Sequence, residues 1–449
     1  MFPHPMRILV AVLLGAALGR AQEPVIVSLK DAIAKEVQAQ GFTLPRGMKV
    51  HVYARGAGAG RWEPGPLYAY GWILNAATRE VVWQMEARAC RWQEGYRVAD
   101  QYLDLPQGSY EVYYANATYE GRSFFVDWSR NLDRRRLAAE EAQDRDHHGF
   151  FEGLVQGRLP RWRREASGYG LEVYAPGADP REIARFDAPL RWRGEFLSLL
   201  ATEDGVQATQ AFRVKRPLTL HVYAQGERVG DRPFADAGFI TDLRTGTRVW
   251  QMDPAKAGYG GGAAKNRRQV ETLTLPAGEY LATYATDDSH SPADWNAAPP
   301  CDPLRYGLIL SVPDPAEAGA VALMAFPRSD RVLAELVRLG DDEDRRATFT
   351  LKAPTRVRIY ALGEGTGEAM ADHGWIEDAK GATVWSQRYE ETVPAGGALK
   401  NRQSEVLRVL PAGTYTLRFV TDGTHSYAHW NARPPRDPEH YGLTVYAAE

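Results

Sequence analysis

Apolar and polar residues alternate with a period of two along much of this chain. Val357 and Ile359 alternate with Arg356, Arg358 and Tyr360, and Tyr415, Leu417 and Phe419 alternate with Thr416 and Arg418. Successive side chains on a strand point to opposite faces, so this pattern predicts strands with one apolar and one wet face, as in half-buried antiparallel sheets. Pro106-Gln107-Gly108, Pro276-Ala277-Gly278 and Pro411-Ala412-Gly413 supply tight turns between such strands. One sheet cannot cover its own apolar face, but two packed layers can. The predicted fold class is therefore all-β, built from antiparallel β-sandwich, jelly-roll-like modules. Residues 131–168 depart from the pattern. Leu132 to Ala142 reads as helix, and Phe150, Phe151, Leu154, Val155 and Leu159 recur at helical spacing, which predicts a helical insertion. His147-His148 within it reads as a solvated pair rather than a metal site.

The pattern repeats. Phe212 to Glu227 lies over Phe349 to Glu364 without a gap, and a third copy starts at Phe42 and passes Val50, Val52, Tyr53, Ala54 and Gly56 in the same register. Gly71-Trp72-Ile73, Gly238-Phe239-Ile240 and Gly374-Trp375-Ile376 come next, each followed by a tryptophan: Trp83, Trp250, Trp385. Then come Leu105 to Tyr110, Leu275 to Tyr280 and Leu410 to Tyr415, all of the form Leu-Pro-x-Gly-x-Tyr. Each copy closes on a strand beginning at Tyr169, Tyr306 or Tyr441. Repetition at this period means tandem modules. The boundaries read as 1–21 leader, 22–175 module one with the insertion, 176–312 joining segment plus module two, and 313–449 joining segment plus module three. The apolar stretches Phe196–Leu200 and Val332–Val337 read as the first strand of the module that follows.

The second half of each module, a Leu-Pro-Ala-Gly-Thr-Tyr strand followed by a closing Tyr-Gly-Leu-Thr-Val strand, resembles secreted bacterial β-sandwich domains of the pre-peptidase C-terminal type. That resemblance implies a non-catalytic appendage, and some such domains resemble calcium-dependent modules that bind matrix or polysaccharide.

The first residues carry an address. Arg7 precedes the apolar run Ile8 to Leu14, and Gly19-Arg20-Ala21 supplies small residues for a signal peptidase, with cleavage before Gln22. Export to the periplasm or medium is the expectation; an uncleaved membrane anchor is the alternative. No later stretch is long and apolar enough for a transmembrane helix, so none is expected in the mature chain. The formal charge of −3 offers no positive field for a phosphate backbone, and nucleic acid is not an expected partner. A polysaccharide or an extracytoplasmic protein is. The two cysteines, Cys90 and Cys301, lie in different modules and are read as unpaired.

Candidate chemistry gathers in one loop. Thr286 to Gly307 and Thr421 to Gly442 are identical at fourteen of twenty-two positions, more than the strands are. A loop that keeps polar identities more tightly than a core keeps apolar ones implies specific side-chain contacts. Module one lacks equivalents of Glu227, Asp236, Lys265, Asn266, Asp287, His290 and Asp302, whereas module three keeps them all as Glu364, Asp372, Lys400, Asn401, Asp422, His425 and Asp437. Residues that vanish together are expected to converge at one end of a module. All of these except Glu227 and Glu364, together with Trp295, Asn296, Trp430 and Asn431, form the candidate ligand-binding set.

Two readings fit. In the structural one, the lysines pair with the loop aspartates and lower their pKa, the histidines donate to neighbours, and the tryptophans pack beneath. In the functional one, indole, carboxylate and amide form a shallow site for sugar or peptide. Two carboxylates and an amide would also suit calcium, although Asp288 and Asp294 become Gly423 and His429, which thins the oxygen donors. No other cofactor is expected. No nucleophile elbow, metalloprotease helix, phosphate loop or dinucleotide fingerprint occurs. An enzyme using the recurrent Asp–His loops is the alternative to a binding or scaffold protein.

Overall fold

The computed structural model describes residues 23–448 except 34, 59–66, 120, 121, 124–167, 327–330 and 368. The expected leader, 1–21, and the expected helical insertion, 131–168 apart from Gly168, lie outside the described residues. Within them the fold is all-β: three tandem modules, each of antiparallel strands in two layers packed face to face. No helix among the described residues is long and apolar enough to cross a membrane.

Module two shows the plan. One sheet runs Glu195–Leu200, Gly307–Ser311, Leu218–Glu227, Asn266–Leu275, Gly258–Tyr259; the other runs Arg248–Gln251, Ala237–Asp242, Gly278–Ala285, Gln207–Val214, Val321–Met324. The period of two decides which side is dry. Leu218, Leu220, Val222 and Ala224 face the core, and so do Phe212 and Val214 from the opposite sheet. Module three repeats the arrangement with Val357, Ile359 and Ala361 inward, against Phe349, Leu417 and Phe419. The repeated tryptophans, Trp83, Trp250 and Trp385, are buried in all three cores. In the Leu-Pro-x-Gly-x-Tyr turns, the hydroxyls of Tyr110, Tyr280 and Tyr415 donate back to the carbonyls of Pro106, Pro276 and Pro411 at 2.9, 3.0 and 2.9 Å. The motif is thus a corner brace, which buries a ring and still satisfies its hydroxyl.

The joining segments divide. Their second halves, Glu195–Leu200 and Val332–Val337, pair with the closing strand of the following module. Their first halves turn back: Ala184–Phe186 pairs with Val37–Leu44 of module one, and Val321–Met324 with Gln207–Val214 of module two. Boundaries at 175 and 312 therefore cut off the last strand of the preceding module. Periodicity could not show this, because strands of three and four residues are too short to alternate visibly.

Adjacent modules touch through loops and strands. Trp72 of module one donates its indole N–H to the Cys301 carbonyl at 2.7 Å, and Leu243 and Leu281 of module two pack with Leu407 of module three. Cys90 and Cys301 are both free and buried.

Candidate functional site

The strand Leu218–Glu227 ends beside the start of Asn266–Leu275, with Glu227 opposite Asn266. The two-residue stretch before Asn266 and the loop after Ala285 therefore meet at one end of the sandwich. A tight turn delivers Lys265 and Asn266 there. Gly262 has φ +70°, and a Cβ on it would lie 1.8 Å from the Pro299 carbonyl oxygen; Gly397 has φ +68° with the Pro434 oxygen at 1.9 Å. Only glycine fits so close to the proline-rich loop in that conformation.

Lys265 donates to Asn296 Oδ1 at 2.6 Å and pairs with Glu227 at 3.0 Å. His290 Nδ1 lies 2.9 Å from that same Asn296 oxygen, and His290 Nε2 lies 2.6 Å from Asn266 Oδ1. The Asn266 amide nitrogen donates to the Gly261 and Ala298 carbonyls at 2.7 and 2.9 Å, which fixes its oxygen toward the histidine. The His290 ring is fully buried. Trp295 meets it edge-on at 4.8 Å, and Tyr306 meets Trp295 edge-on at 5.2 Å. Burial and the Lys265 ammonium push the His290 pKa down, so the ring is neutral. Its backbone is left-handed, φ 64°, as is that of His425, φ 55°. Histidine enters that region less reluctantly than most residues, and here its side-chain bonds hold it there.

Module three rebuilds the knot. Lys400 donates to Glu364 at 2.9 Å and to Asn431 at 2.5 Å. Asn401 donates to Gly396 and Arg433 carbonyls, its oxygen lies 2.5 Å from His425 Nε2, and Trp430 meets the ring edge-on at 5.1 Å. Burial and Lys400 bring His425 down to about 4.

The carboxylates gather at the same end. Asp236 accepts the Asp287 backbone N–H at 2.9 Å and the Tyr306 hydroxyl at 2.6 Å. Asp372 accepts the Asp422 N–H at 2.7 Å and the Tyr441 hydroxyl at 2.5 Å. Oxygens of Glu227, Asp236 and Asp287, and of Glu364, Asp372 and Asp422, lie within 4.8 Å of one another. The lysines pair with the glutamates rather than with the loop aspartates, which corrects the expected pairing. The pKa expectation is corrected too. Burial, with the neighbouring carboxylates, holds Asp236 well above the usual carboxylate range and raises Asp287 to about 8. Asp372 rises to about 7, chiefly through burial. The donor set does not fit calcium well. Both Asp236 oxygens are already taken by N–H and O–H donors, Asp287 Oδ1 accepts the Ser289 N–H at 3.0 Å, and a lysine ammonium already sits against the glutamate.

Asp302 leaves this cluster. It is fully buried against module one, where Arg79 Nε and Nη2 donate to it at 2.9 and 2.5 Å and Tyr223 donates at 2.6 Å. Arg79 also donates to Glu111 at 2.6 and 2.7 Å, so one guanidinium bridges a carboxylate from each module. Its counterpart Asp437 faces Tyr360 at 3.1 Å and His440 at 2.9 Å, and is half exposed. Arg79 and Glu111 were not in the candidate set, yet the repeat marks them. Arg79 occupies a turn position where the other copies carry Gly246 and Gly381, and all three have positive φ: 59°, 67° and 80°. Glu111 stands where they carry Leu281 and Thr416.

The structure thus defines a class: a tandem of three antiparallel β-sandwiches with a buried polar knot at one end of modules two and three. No family model matches the chain, and no curated protein matches it. A solved structure of tandem CBM51 modules of the family 98 glycoside hydrolase from Streptococcus pneumoniae is similar at 10% identity, covering 55% of this chain and 81% of that one, with a TM-score of 0.18. A likeness of that size carries no argument about fold or ligand.

Proposed function

We propose that this chain is an exported, non-catalytic scaffold and binding protein, with its modules held rigidly and their outer surfaces turned to a polysaccharide or an extracytoplasmic protein. The observation that carries this reading is the burial of His290 and His425. A general base must reach its substrate proton. These rings instead lie inside the protein, each with Nε2 against an asparagine oxygen and a tryptophan edge beside it, and burial with the nearby lysine keeps them neutral. Such an arrangement fixes a loop. The Arg79 bridge supports the same reading, because a buried ionic contact between modules sets their orientation.

The test is a glycan and peptide array probed with the chain from Gln22 onward, with and without calcium. Saturable binding that calcium does not alter, and that survives His290→Gln, is the expected result. Turnover of any arrayed compound that disappears in His290→Gln would overturn the reading. Fractionation of the native host is expected to place the chain outside the cytoplasm; full-length protein in the cytosol would count against export.

A further inference from the structure

A cleft separates part of module two from module three. Thr209, Thr241 and Thr283 line it from module two, and Val393, Gln403 and Glu405 from module three. Thr209 lies opposite Thr283, Thr283 opposite Phe239, and Thr241 two residues after Phe239, so the three threonines share the outer face of one sheet. Thr241, Thr283 and Gln403 are 8%, 2% and 8% exposed. None of the three makes a side-chain hydrogen bond among the described residues. A buried polar group without a partner costs about 1–3 kcal/mol, and three of them around one cleft are a standing cost to the fold.

The interface between modules one and two fills the same positions. Tyr113 stands where Thr283 does, Trp72 where Phe239 does, and Leu74 where Thr241 does. Tyr113 and Trp72 stack at 5.3 Å; the Tyr113 hydroxyl donates to Glu111 at 2.5 Å, and the Trp72 indole to the Cys301 carbonyl at 2.7 Å. From the facing module, Arg268 donates across to the Arg79 carbonyl at 3.0 Å, and Gln403 holds its place in module three. Large side chains with partners close the first interface. Smaller ones, with hydroxyls and an amide to spare, leave the second open.

The spare groups define what fits. Arg248 donates to the Glu390 and Glu391 carbonyls at 2.7 and 2.5 Å, and Glu405 pairs with Arg358 at 3.0 Å, so the charges lining the cleft are already engaged. What remains is neutral and both donates and accepts. The main chain at Thr241, Thr283 and Gln403 is paired on both sides, so no free row of N–H and C=O groups there receives an extended peptide. The enclosed floor is about 30 Å³, room for roughly two or three water-sized groups.

We propose that this cleft is a saccharide site, which takes the hydroxyl-bearing edge of one uncharged sugar residue at a chain end or branch. The hydroxyls enter the floor, where Thr241, Thr283 and Gln403 bond them, and the rest of the ring stays in the mouth. The inference rests on the binding reading above and gives it a ligand class and a place.

The experiment compares the chain from Gln22 onward with two variants on an array of neutral glycans, charged glycans and peptides. Thr209→Val/Thr241→Val/Thr283→Val keeps the shape and removes three hydroxyls; Thr283→Tyr introduces the side chain that module one has at this position. The valine variant is expected to melt no lower than the parent, because buried hydroxyls without partners cost stability, and to bind neutral glycan roughly fivefold more weakly for each hydroxyl that had bonded it. Thr283→Tyr is expected to abolish binding; if a lower melting temperature shows that it disturbs the docking of module three, the valine variant decides. Equal affinity of the parent and the valine variant for neutral glycan, the result if water alone occupies the cleft, would overturn the site and leave the binding reading standing. So would binding confined to charged glycans or to peptides. Absence of saturable binding to every arrayed compound would overturn the binding reading itself, and the site with it.

Discussion

Arg79→Gly isolates the contact between modules one and two. The other two copies carry Gly246 and Gly381 at this turn position with the same sign of φ, so the turn itself survives the change. Arg79, Glu111 and Asp302 side chains are 1%, 0% and 0% exposed, so water cannot replace the lost guanidinium. Two carboxylates would remain buried, with, among the described residues, Tyr113, Tyr223 and the Leu190 N–H still donating to them. Breaking a buried pair by removing one partner costs about 3–5 kcal/mol. Relief of left-handed backbone returns roughly 1 kcal/mol, and the freedom glycine gains in the unfolded chain takes back about 0.5–1 kcal/mol. The net loss is therefore the ionic term, about 3–5 kcal/mol, which in a unit of this size lowers the transition by on the order of 10 °C. Calorimetry at pH 7 should show the transition of modules one and two falling and splitting, with module three unmoved. Adding Glu111→Gln and Asp302→Asn should recover most of the loss. A shift under about 1 °C at pH 7, or no recovery in the triple variant, would refute the account.

Three further outcomes follow from the same structure. Asp372, raised to about 7, binds its proton more tightly folded than unfolded, so its contribution to stability is full below the unfolded value near 4 and is lost as pH rises toward 7; module three should lose about 2–3 kcal/mol between pH 5 and 8, and urea titrations of Asp372→Asn should show that slope flattened. Calcium at millimolar concentration, or its removal by chelator, should leave the melting temperature within about 1 °C, because Lys265 and Lys400 already sit against the glutamates; a large rise would show that the carboxylates take the ion. A fragment of residues 190–326 should unfold cooperatively and be more stable than one of 190–312, which lacks the covering strand Val321–Met324; equal stabilities would count against that pairing.

The period of two and the threefold repeat determined the all-β class, the tandem modules and the apolar faces, because alternation is a local property that each strand carries in its own residues. The joint absence of Lys265, Asn266, Asp287 and His290 from module one was enough to bring them together, since strand order returns Lys265 and Asp287 to one end. Tertiary structure alone decided the partners within that cluster. Lys265 chose Glu227 over the aspartates because Glu227 ends the strand directly opposite Asn266, a matter of register. The aspartate pKa values rose rather than fell because burial, which no single residue encodes, outweighs the lysine. Asp302 went to Arg79, 223 residues away, because docking of module one removed it from water, and an interface between modules has no periodicity of its own to read. The short strands Ala184–Phe186 and Val321–Met324 were hidden for a related reason: they form only where an edge already stands to receive them.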